Sequence, residues 1–109
     1  MSGELLQLEK EASALKEAGD LHGSIAKLRE LLAIDDSFVR AHLALSVLYY
    51  NVKDYENSVS HAERVCELEP NDSFNYSALS IAYQRAFELS RDPMYIQKAE
   101  MAMARSRMI

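Results

Sequence analysis

Three histidines, one cysteine and several paired acids are the residues of this chain whose types could do chemistry. His22, His42 and His61 could ligate a metal, but none has a second ligand four residues away, as a helical zinc site needs. Cys66 lies five residues after His61, roughly 500° round a helix, so the two point to different sides. A Cys–His nucleophilic pair within that helix is therefore disfavoured. A single thiol makes no internal disulfide and no Cys-rich zinc site. Cys66 continues an inward apolar stripe and reads as a buried, inert thiol. Asp35-Asp36 and Glu67 with Glu69 are close in sequence, but glycosidase-type chemistry needs two carboxylates facing one pocket with one pKa raised. These acids sit in turns and on solvated faces, where capping and solubility account for them. The chain has no Gly-rich phosphate loop, no Gly-x-Ser-x-Gly elbow and no Asp-rich calcium loop. The expectation is a non-enzymatic protein with no catalytic residue, no metal site and no cofactor.

The elements that position these residues belong to a chain of 109 residues with net charge −5, 49% hydrophobic and 27% charged. That balance suits one soluble globular domain. Residues 85–109 carry +2 and the remainder −7. A mildly basic end on an acidic chain is not a nucleic-acid footprint, which wants a basic stripe and a high pI. The opening stretch MSGELLQLEKE lacks the pattern of a signal peptide. No apolar run approaches the length of a membrane span. No nucleic acid, no membrane and a cytoplasmic location are expected.

Apolar residues recur at steps of three and four: Leu5, Leu8, Ala12 and Leu15, then Leu21, Ile25, Leu28, Leu31 and Leu32, then Leu45, Leu48 and Tyr49, then Val59, Ala62, Val65, Cys66 and Leu68. This is helix period, with no sustained alternation of the strand kind. Breaks fall at Gly19-Asp20, Asp35-Asp36-Ser37, Lys53-Asp54, Glu69-Pro70-Asn71-Asp72 and Ser90-Arg91-Asp92-Pro93. Each supplies an Asp or Ser able to cap a helix N-terminus. Asp92-Pro93 reads as a cap followed by proline at the first helical position, where its missing N–H costs nothing. Helices are predicted near 3–18, 21–34, 38–51, 55–68, 73–90 and 93–107.

The chain matches itself at one constant shift. That shift aligns Leu15, Tyr49 and Tyr83, then Leu8, His42 and Tyr76, then Ala12, Ser46 and Ser80. Asp20 meets Asp54 and Ser24 meets Ser58 in the same register. On these residues the chain resembles the tetratricopeptide-repeat family, whose unit is two antiparallel helices, A and B, in about 34 residues. The middle unit carries the family pattern best, with His42, Leu45, Ser46 and Tyr49 on helix A and Ser58, Ala62, Val65 and Pro70 on and after helix B. The resemblance implies an all-α, right-handed superhelical solenoid of three antiparallel helix pairs, with units near 5–38, 39–72 and 73–109. The third departs by an insertion near 87–93. Its small residue from helix B is Ala99, seven positions late. Helix A and helix B are each expected to gain about one turn, packed by Phe87, Leu89, Tyr95 and Ile96.

The resemblance also implies a concave groove lined by the A helices. In the second unit it would use Arg40, Leu43, Val47, Tyr50 and Asn51. In the third it would use Phe74, Ser77, Ile81, Gln84 and Arg85. An exposed apolar strip of this kind marks an interaction site. The expected function is a protein–protein interaction module that takes a peptide or partner segment in the groove, with Arg40, Asn51 and Arg85 orienting polar groups. Some members of the family bind acidic chaperone tails through a Lys/Asn carboxylate clamp. Glu9, Ser13, Ala44, Phe74 and Ala78 occupy those positions, so no clamp is expected. The alternative expectation is a structural unit that self-associates, as a homo-oligomer, through Met101, Met108 and Ile109 of a Met-rich last helix.

Overall fold

In the computed structural model the described residues are 3–109. They form six α-helices and, among the described residues, no strand: α1 (Gly3–Glu17), α2 (Leu21–Ile34), α3 (Val39–Asn51), α4 (Tyr55–Leu68), α5 (Ser73–Ser90) and α6 (Met94–Met108). Each helix packs on its neighbours in the chain, and α3 also reaches α5. The radius of gyration is 14.1 Å and the extents are 39 × 28 × 20 Å. A compact chain of this length would have a radius of about 13 Å, so the molecule is somewhat elongated. Its helices stack in sequence rather than closing around one centre.

The turns that fold α1 onto α2, α3 onto α4 and α5 onto α6 share one construction. A residue with positive φ comes first: Gly19 at 87°, Lys53 at 66° and Arg91 at 63°. An aspartate follows directly, and its carboxylate accepts an orphan backbone N–H of the next helix. Asp20 takes Gly23 N at 2.9 Å, Asp54 takes Asn57 N at 3.2 Å and Asp92 takes Met94 N at 3.0 Å. Such caps contribute about 1 kcal/mol each. A Cβ at position 23 would run into the Asp20 carboxylate, so this glycine leaves the cap its room. The start of α3 is different. Phe38 occupies the cap position without a side-chain bond, and Asp35 instead binds the Ser37 backbone and hydroxyl at 3.0 and 2.6 Å. Burial of Phe38 holds this corner.

Within each helix pair, a hydroxyl closes the crossing point. Ser24 Oγ donates to Ala12 O at 2.8 Å. Ser46 and Ser58 exchange such bonds, at 2.8 and 2.6 Å. Ser80 Oγ donates to Ala99 O at 2.9 Å. Small side chains here let the helices approach closely enough for a hydroxyl to reach across. The third bond also places Ala99 opposite Ser80, as Ser58 is opposite Ser46, with the seven-residue displacement in between. The extra residues are divided unequally. α5 has 18 residues against 13 in α3, and α6 places five residues before Ala99 where α4 places three before Ser58. Helix A therefore gains more than a turn and helix B about half of one. Tyr95 packs the extension, with its ring 5.9 Å from Tyr55 and 6.1 Å from Tyr83. Phe87 is half-buried, whereas Leu89 and Ile96 stay exposed.

The core forms two patches. Leu5, Ala12, Leu28, Leu31, Leu45 and Leu48 are among the residues of the first, which joins α1, α2 and α3. Val59, Ala62, Leu79, Tyr83, Ala99 and Ala102 belong to the second, which joins α4, α5 and α6. No helix among the described residues is long and apolar enough to cross a membrane.

Candidate partner-binding groove

The α3–α5 contact leaves a cleft whose walls are Leu43 and Val47 on one side and Ile81 and Arg85 on the other. Small residues line it where bulk would close it: Ser46, Ser58 and Ala62, then Ala78 and Ala82. The cavity measures about 190 Å³. Val47 and Ile81 remain 41% and 45% exposed at its mouth. The Arg85 guanidinium lies over the Tyr50 ring, 4.5 Å from its centroid. It forms no ion pair among the described residues. A cation on a ring face is partly desolvated and oriented before anything binds.

The other predicted groove residues go elsewhere. Arg40 makes a bidentate pair with Glu9, at 2.8 and 2.9 Å, and so joins α3 to α1. The hydrogen bonds to Arg40, with its charge, hold the Glu9 carboxyl below the usual range. Arg40 and Glu9 border a second, smaller cavity of about 120 Å³ beside Ala12, Ser13 and Ala44. Arg40 is therefore already neutralised where an orienting cation was expected. Ser77 shares a 2.9 Å bond with Ser106 of α6, and Gln84 donates to Ser80 Oγ at 3.4 Å. Gln84 lies in a terminal cavity with Phe87, Ile96 and Met103 rather than in the α3–α5 cleft. Phe74 is 64% exposed at the start of α5, and Asn51 is exposed at the end of α3. Of the ten residues, Leu43, Val47, Ile81 and Arg85 thus share one cleft, with Tyr50 added through Arg85. On α6, Met101 and Met108 are 73% and 76% exposed, and Ile109 is also exposed.

The structure brings together two histidines that are 19 apart in sequence. His42 Nδ1 and His61 Nδ1 are 2.9 Å apart, and His42 Nε2 lies 2.7 Å from the Asp36 carbonyl oxygen. A carbonyl only accepts, so His42 Nε2 carries a proton. In the neutral pair His61 Nδ1–H then donates to His42 Nδ1. The His61 ring stacks on Tyr49 at 5.6 Å and 7°. Arg29 donates to the Tyr49 hydroxyl at 3.3 Å, and Arg64 pairs with Asp36 at 2.7 Å and with Glu67 at 3.2 Å. Burial, then the neighbouring His42 and Arg29, lower the His61 pKa to about 4. Among the described residues no three His, Cys, Asp or Glu side chains gather as a metal would require. Cys66 is buried, and its thiol meets Asn75 O at 3.4 Å. Burial, with Glu63 nearby, pushes its pKa up to about 11, so the thiol is protonated at neutral pH.

No protein-family model matches this chain, and no curated protein matches it in sequence.

The histidine pair was not legible from spacing along a helix, because its members sit on facing helices. The repeat register could have found its surroundings. Arg29 meets the hydroxyl of Tyr49, and Glu63, one repeat further on, accepts the hydroxyl of Tyr83 at 2.6 Å.

Proposed function

We propose that this chain is a tetratricopeptide-repeat-like solenoid acting as a non-catalytic protein–protein interaction module. It takes a peptide or partner segment in the cleft between α3 and α5. The observation that carries this reading is the cleft itself: apolar walls at Leu43, Val47 and Ile81, with Arg85 held on Tyr50 and ion-paired to nothing among the described residues. An apolar side chain suits the walls and a polar or anionic group suits the guanidinium. A preformed cleft on helices limits the ordering cost of binding.

The test is affinity capture from the source cells by the wild-type chain and by a Val47→Glu/Ile81→Glu variant. Both positions are exposed, so circular dichroism should show an intact fold. Capture of the main partner should fall at least about tenfold, as burying an unpaired charge in an apolar contact predicts. Undiminished capture by the folded variant would remove the cleft from the function.

A second reading has one observation in its favour. Met101 and Met108 lie seven residues apart on one side of α6 and are both exposed. Methionine surfaces adapt to varied partners. On this reading the molecule is an assembly unit that pairs through α6.

A further inference from the structure

A further cavity lies on the opposite side of α5 from the cleft. At 100° per residue, Ile81 and Arg85 project to one side of α5, while Tyr76, Leu79 and Tyr83 project to the other. These three residues, with Met101 and Ala102 of α6, line an open cavity of about 340 Å³. Lys98 and Arg105 complete its wall. The Lys98 ammonium lies 5.7 Å from the centroid of the Tyr83 ring, and the Arg105 guanidinium 5.6 Å from that of Tyr76. Neither cation is ion-paired among the described residues.

The preceding helix pair shows what this place looks like when it is filled. The repeat shift relates the two A helices, and a shift seven positions longer relates the two B helices. Tyr76 and Tyr83 then stand where His42 and Tyr49 stand, Ala102 where His61 stands, and Arg105 where Arg64 stands. In the earlier pair His61 fills the space by stacking on Tyr49 and bonding His42, and Asp36 and Glu67 pair with Arg64. In the later pair an alanine replaces the imidazole, and Pro70 and Met108 stand in the places of Asp36 and Glu67. The same architecture has lost its filling side chain and its carboxylates together.

We infer that this cavity binds a partner segment that replaces the lost side chain and brings carboxylates to Arg105 and to Lys98, which stands where the earlier pair has Asn57: an apolar side chain between two carboxylates. The apolar group enters over Ala102 against the Tyr83 ring. The carboxylates meet Lys98 and Arg105, which are seven residues apart on α6, about 10 Å along its axis. In an extended segment, side chains two residues apart share a face, so an acid–x–apolar–x–acid pattern presents all three groups together. Its acids are about 13 Å apart at the backbone, within reach of two long, flexible cationic side chains.

The probe is the blocked peptide Ser-Glu-Ser-Phe-Ser-Glu-Ser, titrated into the isotope-labelled chain and followed by amide chemical shifts. Saturable shifts are expected at Tyr83, Met101 and Ala102. Affinity should fall at least about tenfold in a Lys98→Gln/Arg105→Gln variant, and equally when glutamine replaces both glutamates of the peptide. It should also weaken as salt rises from about 50 to about 500 mM. An Ala102→His variant, which restores the filled arrangement of the preceding pair, should lose binding while keeping its helical spectrum. If that variant fails to fold, the charge-neutralising variant still decides. No saturable shift, binding indifferent to loss of the two cations, or shifts confined to Val47 and Ile81 would each overturn the inference. So would a wild-type dimer that the Lys98→Gln/Arg105→Gln variant disperses, because the occupant would then be a second copy of this chain.

Discussion

His61 is held neutral by its surroundings, and that gives the chain a titratable weak point. Burial disfavours the imidazolium, and His42 from α3 and Arg29 from α2 oppose it further, while Asp36 only partly offsets them. Its folded pKa of about 4 lies below the ordinary 6.5. Between these values the unfolded chain binds a proton that the folded chain refuses, so stability falls as pH drops through that window. Above about pH 6.5 the effect is absent. A His61→Gln variant keeps an N–H donor for His42 but cannot titrate. Thermal unfolding followed from about pH 7.5 to about pH 4.5 should show a smaller fall in midpoint for this variant than for the wild type. Equal falls would mean that other groups control the acid response. The arrangement shows where residue-level reading stops. Counting along a helix separates His61 from Cys66, whose thiol meets Asn75 O. It says nothing about His42 on the facing helix, because that contact depends on how two helices cross.

The helices themselves were legible, with predicted ends within one residue of those observed at most boundaries. Apolar period and Asp-bearing breaks carry that information locally. The placement of Ala99 opposite Ser80 was legible too, because the small residue that the repeat register wants at 92 recurs about two helical turns later. The inserted residues divide unevenly between α5 and α6, not one turn to each; the predicted ends at 90 and 93 already carry that uneven division, because the break at 90–93 is local. Part of the groove was not legible. Arg40 can point into the groove or back to Glu9, and only the packing of α1 on α2 and α3 brings that carboxylate within 2.8 Å. The turns make an element-scale prediction. Lys53 sits at φ 66°, where Gly19 occupies the equivalent turn at 87°. A side chain costs about 1–2 kcal/mol in this conformation, and glycine removes the cost while adding some unfolded-state entropy. Lys53→Gly should therefore stabilise the chain by roughly 0.5–1 kcal/mol, read as a higher denaturant midpoint with an unchanged slope. A lowered midpoint would show that the Lys53 side chain contributes more than its backbone conformation costs.

At the scale of the whole molecule, the two core patches and the sequential packing give an elongated body with surfaces on opposite sides of α5. Its ends are unlike. Residues 85–109 carry +2 and the rest carries −7, so the basic groups gather where α6 exposes Met101, Met108 and Ile109. Size decides how much this apolar end can do alone. A stable interface uses about 20–30 residues a side, and three apolar side chains with Arg105 and Arg107 nearby fall far short. Two copies meeting face to face here would also bring like charges together, which opposes pairing at low salt. The groove reading therefore expects a monomer by sedimentation at about 50 µM, below the range where so small a contact would hold. It also expects Met101→Glu to leave capture of the groove partner unchanged. The assembly reading expects the reverse: a dimer at that concentration, dispersed by Met101→Glu, with capture indifferent to Val47→Glu/Ile81→Glu. A dimer with those properties would move the function from the cleft to α6, and the apolar walls of the cleft would then need another explanation.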